Sequence, residues 1–85
     1  MRLLKFSTPT CCMCKQVDKL LTDAGIEYEE VDISTDEGYD VAVKYNIRSV
    51  PFLVLQKPDG DKTYKNYGEI YRSIDELKRL FHDDD

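Results

Sequence analysis

The sequence predicts a single α/β domain, a four-stranded mixed sheet flanked by three helices in the order βαβαββα. Three observations lead there. Arg2–Phe6 and Phe52–Leu55 are apolar runs of strand length, while Val17, Leu20, Leu21 and Ala24 and later Ile74, Leu77, Leu80 and Phe81 recur at helical spacing. Between them, Ser7-Thr8-Pro9-Thr10, Gly25 and Pro58-Asp59-Gly60 are turn or cap signals. The chain has 85 residues, room for one modest core. The domain is expected to span 1–82, with 83–85 an acidic tail.

Arg2 to Phe6 reads as the first strand, broken by the Ser-Thr-Pro-Thr turn. The helical spacing then begins at Cys14 and Gly25 follows Ala24 where a C-terminal cap belongs, so the cysteine cluster straddles a helix start. Ile26 to Ile33 predicts a second strand. Ser34 with Glu37 three residues on fits a capping box for a second helix through Val41, Ala42 and Tyr45, with Gly38 a weak spot inside it. Phe52-Leu53-Val54-Leu55 after Pro51 has the continuous apolar character of a strand buried on both faces. Pro58-Asp59-Gly60 turns the chain, Lys62 to Tyr67 predicts the antiparallel return, and Gly68 ends it. Ser73 with Glu76 opens the last helix.

Composition narrows the function. With 41% hydrophobic and 34% charged residues, the chain is folded rather than disordered. The net charge of −5, with twelve scattered Lys and Arg against seventeen acids, argues against nucleic acid as a partner. No segment approaches the ~20 apolar residues that cross a bilayer, and the N-terminus lacks the apolar run of a signal peptide. Three cysteines within four positions are no disulfide framework for a secreted mini-protein; a reducing, cytoplasmic location and catalytic or metal-binding cysteines are expected.

Cys11-Cys12-Met13-Cys14 sets two thiols three residues apart at a strand-to-helix junction. One helical turn brings such a pair close enough for a disulfide with little backbone movement. It also aims the first sulfur at unpaired backbone N–H groups and the positive end of the helix dipole, which favours the thiolate. The expected roles are Cys11 as nucleophile and Cys14 as resolving thiol. The same spacing serves zinc sites, but these call for a second ligand pair, and His82 near the C-terminus is the one other strong ligand type in the chain.

From Phe6-Ser7-Thr8-Pro9-Thr10-Cys11-Cys12-Met13-Cys14-Lys15 and Gly25-Ile26-Glu27-Tyr28-Glu29-Glu30-Val31-Asp32, the N-terminal half resembles glutaredoxins and the glutaredoxin-like hydrogen donors of ribonucleotide reductase. Lys44-Tyr45-Asn46-Ile47-Arg48-Ser49-Val50-Pro51-Phe52-Leu53-Val54-Leu55 is similar to thioredoxin. The resemblance implies a thioredoxin-like fold and a cis peptide bond at Pro51, whose loop lies beside the dithiol with Val50 bridging to substrate. A plain strand-entry proline is the alternative reading of Pro51. By the same resemblance Thr10, Tyr67 and Gly68 border the substrate groove. Lys5 stands where thioredoxins keep a buried acid; a cation there either favours the Cys11 thiolate or carries its ammonium to solvent. Lys15 and Arg48 either flank the site and attract anionic groups or are solvated surface charges.

The departures are informative. The chain has no Trp, and Met13 replaces the aromatic of the glutaredoxin motif and the proline of the thioredoxin one. A single glycine, Gly68, stands in place of the Gly-Gly pair with which glutaredoxins grip glutathione, so a disulfide-containing protein substrate with a thioredoxin reductase-like donor is expected over glutathione. No bound cofactor and no metal are expected; the redox group is the Cys11–Cys14 disulfide, and a monomer is the expected form. Cys12 reads as a bystander or as an alternative disulfide, glutathionylation or soft-metal partner. A metal- or cluster-binding module and a thioredoxin-like interaction domain remain the competing functions.

Overall fold

The computed structural model describes residues 2–82; Met1 and the acidic tail at 83–85 lie outside the described residues. The elements are β1 (Arg2–Ser7), α1 (Cys12–Asp23), β2 (Glu29–Asp32), α2 (Asp36–Lys44), β3 (Phe52–Gln56), β4 (Lys62–Tyr64), α3 (Tyr67–Arg72) and α4 (Ile74–His82). The sheet order is β2-β1-β3-β4, with β2 parallel to β1 and the other pairs antiparallel.

β1 and β3 are central, so both faces of each are covered and their alternate residues feed two cores. Leu3, Leu53 and Leu55 pack with Val17, Leu21, Ile70 and Leu77 under α1, α3 and α4. Leu4, Phe6, Phe52 and Val54 face the other way, against Ala42 of α2. This explains why β3 is an unbroken apolar run from Phe52 to Leu55 and β1 is interrupted between Leu3 and Phe6 by Lys5 alone, while the two edge strands are not apolar runs.

Several boundaries differ from the sequence reading. β2 is confined to Glu29–Asp32 rather than Ile26–Ile33 and pairs with Leu4–Ser7 of β1. The cap of α2 is Thr35, not Ser34: the Asp32 carboxylate takes both the Ser34 N–H (2.9 Å) and its hydroxyl (2.6 Å), leaving the Thr35 hydroxyl to accept from the Gly38 N–H. Those two bonds hold the Asp32 carboxyl below the usual carboxylate range. Gly38 is no weak spot; a Cβ there would collide with the Asp32 carbonyl, so the bare backbone lets α2 start against the end of β2.

The return strand stops at Tyr64, and Gly68 does not end it but lies within a fourth helix, α3. Asn66 caps that helix by accepting from the Glu69 N–H at 2.8 Å, while Glu69 accepts from the Lys65 N–H. This Asn-x-x-Glu pairing was legible in the sequence and outweighs glycine's low helix propensity. Ser73 joins the two pieces, its N–H closing α3 onto Glu69 and its carbonyl accepting from Leu77 of α4. Among the described residues, no helix is long and apolar enough to cross a membrane.

Candidate functional site

The turn after β1 is closed by the Cys11 N–H donating to the Thr8 carbonyl (3.2 Å), and it delivers Cys11 to the N-cap of α1 in extended conformation. Here Cys11 does what Ser or Asp does at other helix starts: its Sγ accepts from the Cys14 N–H at 3.1 Å. Cys11 and Cys14 form a disulfide with their Cα atoms 5.2 Å apart, within the ordinary span. Cys14 is buried and Cys11 half-buried, so a partner reaches the first sulfur before the second. Cys12 is a free, exposed thiol, and Met13 is exposed beside it.

The Val50–Pro51 peptide bond is cis. Pro51 immediately precedes Phe52, which pairs with Phe6, so one step further the proline stands level with Ser7 at the end of β1 that leads to the dithiol. The Leu53–Tyr64 pairing carries 65–68 to the same end. Thr10, Arg48 and Lys15 are exposed, and Tyr67 is half-buried with its ring 6.1 Å from Tyr71. The sheet thus gathers the Cys11 turn, the Val50–Pro51 loop and the Tyr67–Gly68 helix start at one end.

Lys5 departs from both alternatives read in the sequence. It neither reaches solvent nor stands as a free cation for Cys11: it is fully buried, paired with Asp18 of α1 and, at 3.0 Å, with Glu30 of β2. Glu30 also accepts from the Ser7 hydroxyl at 2.9 Å, and Asp18 from the Tyr28 hydroxyl at 2.7 Å, with the Lys5 ammonium 5.8 Å from the Tyr28 ring centre. Asp18 lies four residues after Cys14, hence one turn along the same helix face. This polar cluster was not foreseen; the signal was an acid on a face otherwise made of Cys14, Val17 and Leu21.

Lys5→Ala is expected to cost about 3 kcal/mol, combining a core cavity with the loss of the cation between two carboxylates. Lys5→Met keeps the volume and releases the carboxylates, both partly exposed, to water; urea unfolding of the two variants should place it about 2 kcal/mol above Lys5→Ala. Burial, the bond to Asp18 and the nearby negative charge push Tyr28 from 10.0 up to about 12. The native state therefore holds a proton that the unfolded chain has already released, and stability falls as pH rises from 10 to about 12. Alkaline unfolding of Tyr28→Phe should show a shallower fall across that window.

Two clefts border the sheet. The larger, of about 570 Å³, is lined by Arg2, Gly25, Tyr28, Glu29, Phe81 and His82 at the end opposite the dithiol. There His82 Nε2 lies 3.1 Å from the Ala24 carbonyl and so closes onto the C-terminus of α1. The smaller, of about 350 Å³, lies beside the cysteine turn between Ser7, Thr8, Pro9, Glu30 and Asp32. Among the described residues no three His, Cys, Asp or Glu side chains are grouped to hold a metal ion.

Comparison with known proteins agrees with this arrangement. The glutaredoxin family model matches residues 3–57. The chain is 31% identical over 77 residues to the SPbeta prophage-derived thioredoxin-like protein YosR of Bacillus subtilis, covering 91% of this chain and 94% of that one. It is 36% identical over 75 residues to a thioredoxin of Pyropia yezoensis, covering 84% and 69%. The fold superposes on the glutaredoxin-like NrdH-redoxin of Escherichia coli with a TM-score of 0.69 at 17% identity, over 91% of this chain and 95% of that one. With a glutaredoxin-type sequence match, thioredoxin-like relatives and the fold of both, the chain belongs to the thioredoxin/glutaredoxin superfamily.

Proposed function

We propose that the protein is a dithiol–disulfide oxidoreductase that reduces protein disulfides, with Cys11 as nucleophile and Cys14 as resolving thiol. The observation that carries this reading is the Cys14 N–H donating to Cys11 Sγ across a disulfide whose second sulfur is buried. In the reduced protein, that N–H and the helix dipole stabilise negative charge on Cys11. The Cys11 thiolate attacks a substrate disulfide and expels one substrate thiolate, giving a mixed disulfide. Cys14, deprotonated, attacks Cys11 Sγ and expels the second. The substrate gains two electrons and two protons, and the protein is left with its Cys11–Cys14 disulfide. Val50 and Pro51 flank the approach to Cys11, with Thr10, Tyr67 and Gly68 on its rim.

A dithiol donor of the thioredoxin reductase class returns the disulfide to thiols, in the cytoplasm, with no further cofactor; the single Gly68 supports this donor over glutathione. The test is trapping. Cys14→Ser lacks the second attack and should accumulate mixed disulfides through Cys11, visible as reductant-sensitive adducts by mass spectrometry. Adducts that form at Cys12 instead would overturn the assignment of roles.

A further inference from the structure

The protein's net charge is −5, yet one side of its dithiol end is charged the other way. On the Val50–Pro51 side of that end stand the segments 8–17, 46–52 and 65–68, whose charged residues are Lys15, Arg48 and Lys65, while the β2 side of the same end carries Asp32, Asp36 and Glu37. All three cations are exposed. Arg2, Lys5, Lys57 and Lys62 each have a carboxylate partner, whereas Lys15, Arg48 and Lys65, like Lys19, Lys44, Arg72, Lys78 and Arg79, have none among the described residues; their shared place at the dithiol end sets the three apart. Lys15 follows Cys11 by four residues, one turn along the same helix face. Arg48 leads into the Val50–Pro51 loop, and Lys65 stands one step past Tyr64, level with Phe52. The N-terminus of α1 adds the positive end of its dipole to the same side.

Of the acids at this end, Glu30 alone is neutralised by a cation, Lys5, while Asp32, Asp36 and Glu37 keep their charge on the β2 side and Glu69 keeps its own beside Lys65. Glu30 serves Lys5 and Ser7, Asp32 serves Ser34, and the Glu69 carboxylate accepts from the Lys65 backbone N–H. Glu30 and Asp32 also belong to the β2 side of the cysteine turn, away from the Val50–Pro51 loop.

Resting on the oxidoreductase reading, we propose that Lys15, Arg48 and Lys65 form a docking surface for an acidic polypeptide segment flanking the substrate disulfide. At physiological ionic strength charges are screened beyond about 8 Å, so a segment arriving on the Val50–Pro51 side responds to the cations of that side more than to charges elsewhere on the molecule. Complementary charge at such a site raises the encounter rate and orients the partner more than it tightens the complex. The surface therefore selects among disulfides by what surrounds them, a discrimination the dithiol cannot make itself.

The test uses three synthetic peptides that share one disulfide ring and differ only in acidic, neutral or basic flanks. Each is mixed with pre-reduced full-length protein, and the second-order rate of peptide reduction is measured at about 10 mM and about 1 M ionic strength, where screening lengths are about 30 and 3 Å. The acidic peptide is expected to react about tenfold faster than the basic one at low ionic strength, with the gap closing at high. A variant with Lys15→Gln, Arg48→Gln and Lys65→Gln should lose the preference. Lys44→Gln, Lys78→Gln and Arg79→Gln, which remove the same charge from exposed positions elsewhere, should keep it. Equal rates for the three peptides, or a preference lost equally in both variants, would overturn the docking surface and leave the oxidoreductase reading intact. Reduction of none of the peptides would overturn both.

Discussion

Cys11→Ser is expected to remove disulfide reduction, by on the order of a thousandfold or more, without loosening the fold. A serine hydroxyl is not ionised at neutral pH and cannot enter thiol–disulfide exchange, so the loss is chemical. The structural role survives the change. Cys11 is the N-cap of α1 and its Sγ accepts from the Cys14 N–H; serine is among the preferred residues at that position. The variant lacks the cross-link, whose four-residue loop contributes about 2 kcal/mol by chain entropy to the oxidised protein. Its urea midpoint should therefore lie close to that of the reduced wild type, the better cap offsetting the lost thiolate stabilisation, and below that of the oxidised one. Reductase activity remaining in Cys11→Ser, or a midpoint well below the reduced protein's, would show that this sulfur is not the nucleophile or that it does more than cap the helix.

The same residue shows how much the sequence discloses. Cap chemistry and the thiol pair depend on neighbours three residues apart, so the dithiol and the start of α1 could be read directly. The central strands could be read because burial on both faces leaves a mainly apolar run, whole in β3 and interrupted in β1 by Lys5. What escaped depends on distant partners. Lys5 sits in such a run and its fate was decided by Asp18, thirteen residues away, and Glu30, twenty-five away; nothing local distinguishes a buried, paired lysine from one that reaches solvent. Ser34 and Thr35 both make sound caps, and the choice fell to Thr35 because Asp32 had taken Ser34. Gly68 looked like a stop signal because glycine usually is one, while Asn66 and Glu69 on either side of it had already started a helix.

Gly38→Ala is expected to destabilise the protein by about 3 kcal/mol, although helix propensity alone favours alanine over glycine by about 1 kcal/mol. The opposing effect is steric. A Cβ at position 38 would overlap the Asp32 carbonyl oxygen and lie 2.6 Å from its carbon. That carbonyl belongs to the last residue of β2, opposite Ser7, and is held in place by the Thr35 N–H at 3.2 Å and the Thr35 hydroxyl at 2.7 Å. Neither obstacle is a flexible side chain, so relief requires the first turn of α2 to move off the sheet. That movement stretches the 3.0 Å bond from the Gly38 N–H to Thr35, worth about 1 kcal/mol as a cap, and loosens the packing of Ala42 among Leu4, Phe6 and Val54. A domain of this size holds only about 4–13 kcal/mol in total, so the midpoint temperature should drop by about 15 °C. Gly68→Ala supplies the contrast. It too is helical, but a Cβ there meets nothing closer than Asn66 Oδ1 at 3.4 Å, so propensity acts unopposed and stability should rise by up to about 1 kcal/mol. The same substitution at two helical glycines thus has opposite signs, set by whether the space beside each is filled by backbone; thermal unfolding in which both variants gain stability would show that β2 and α2 do not approach as closely as described.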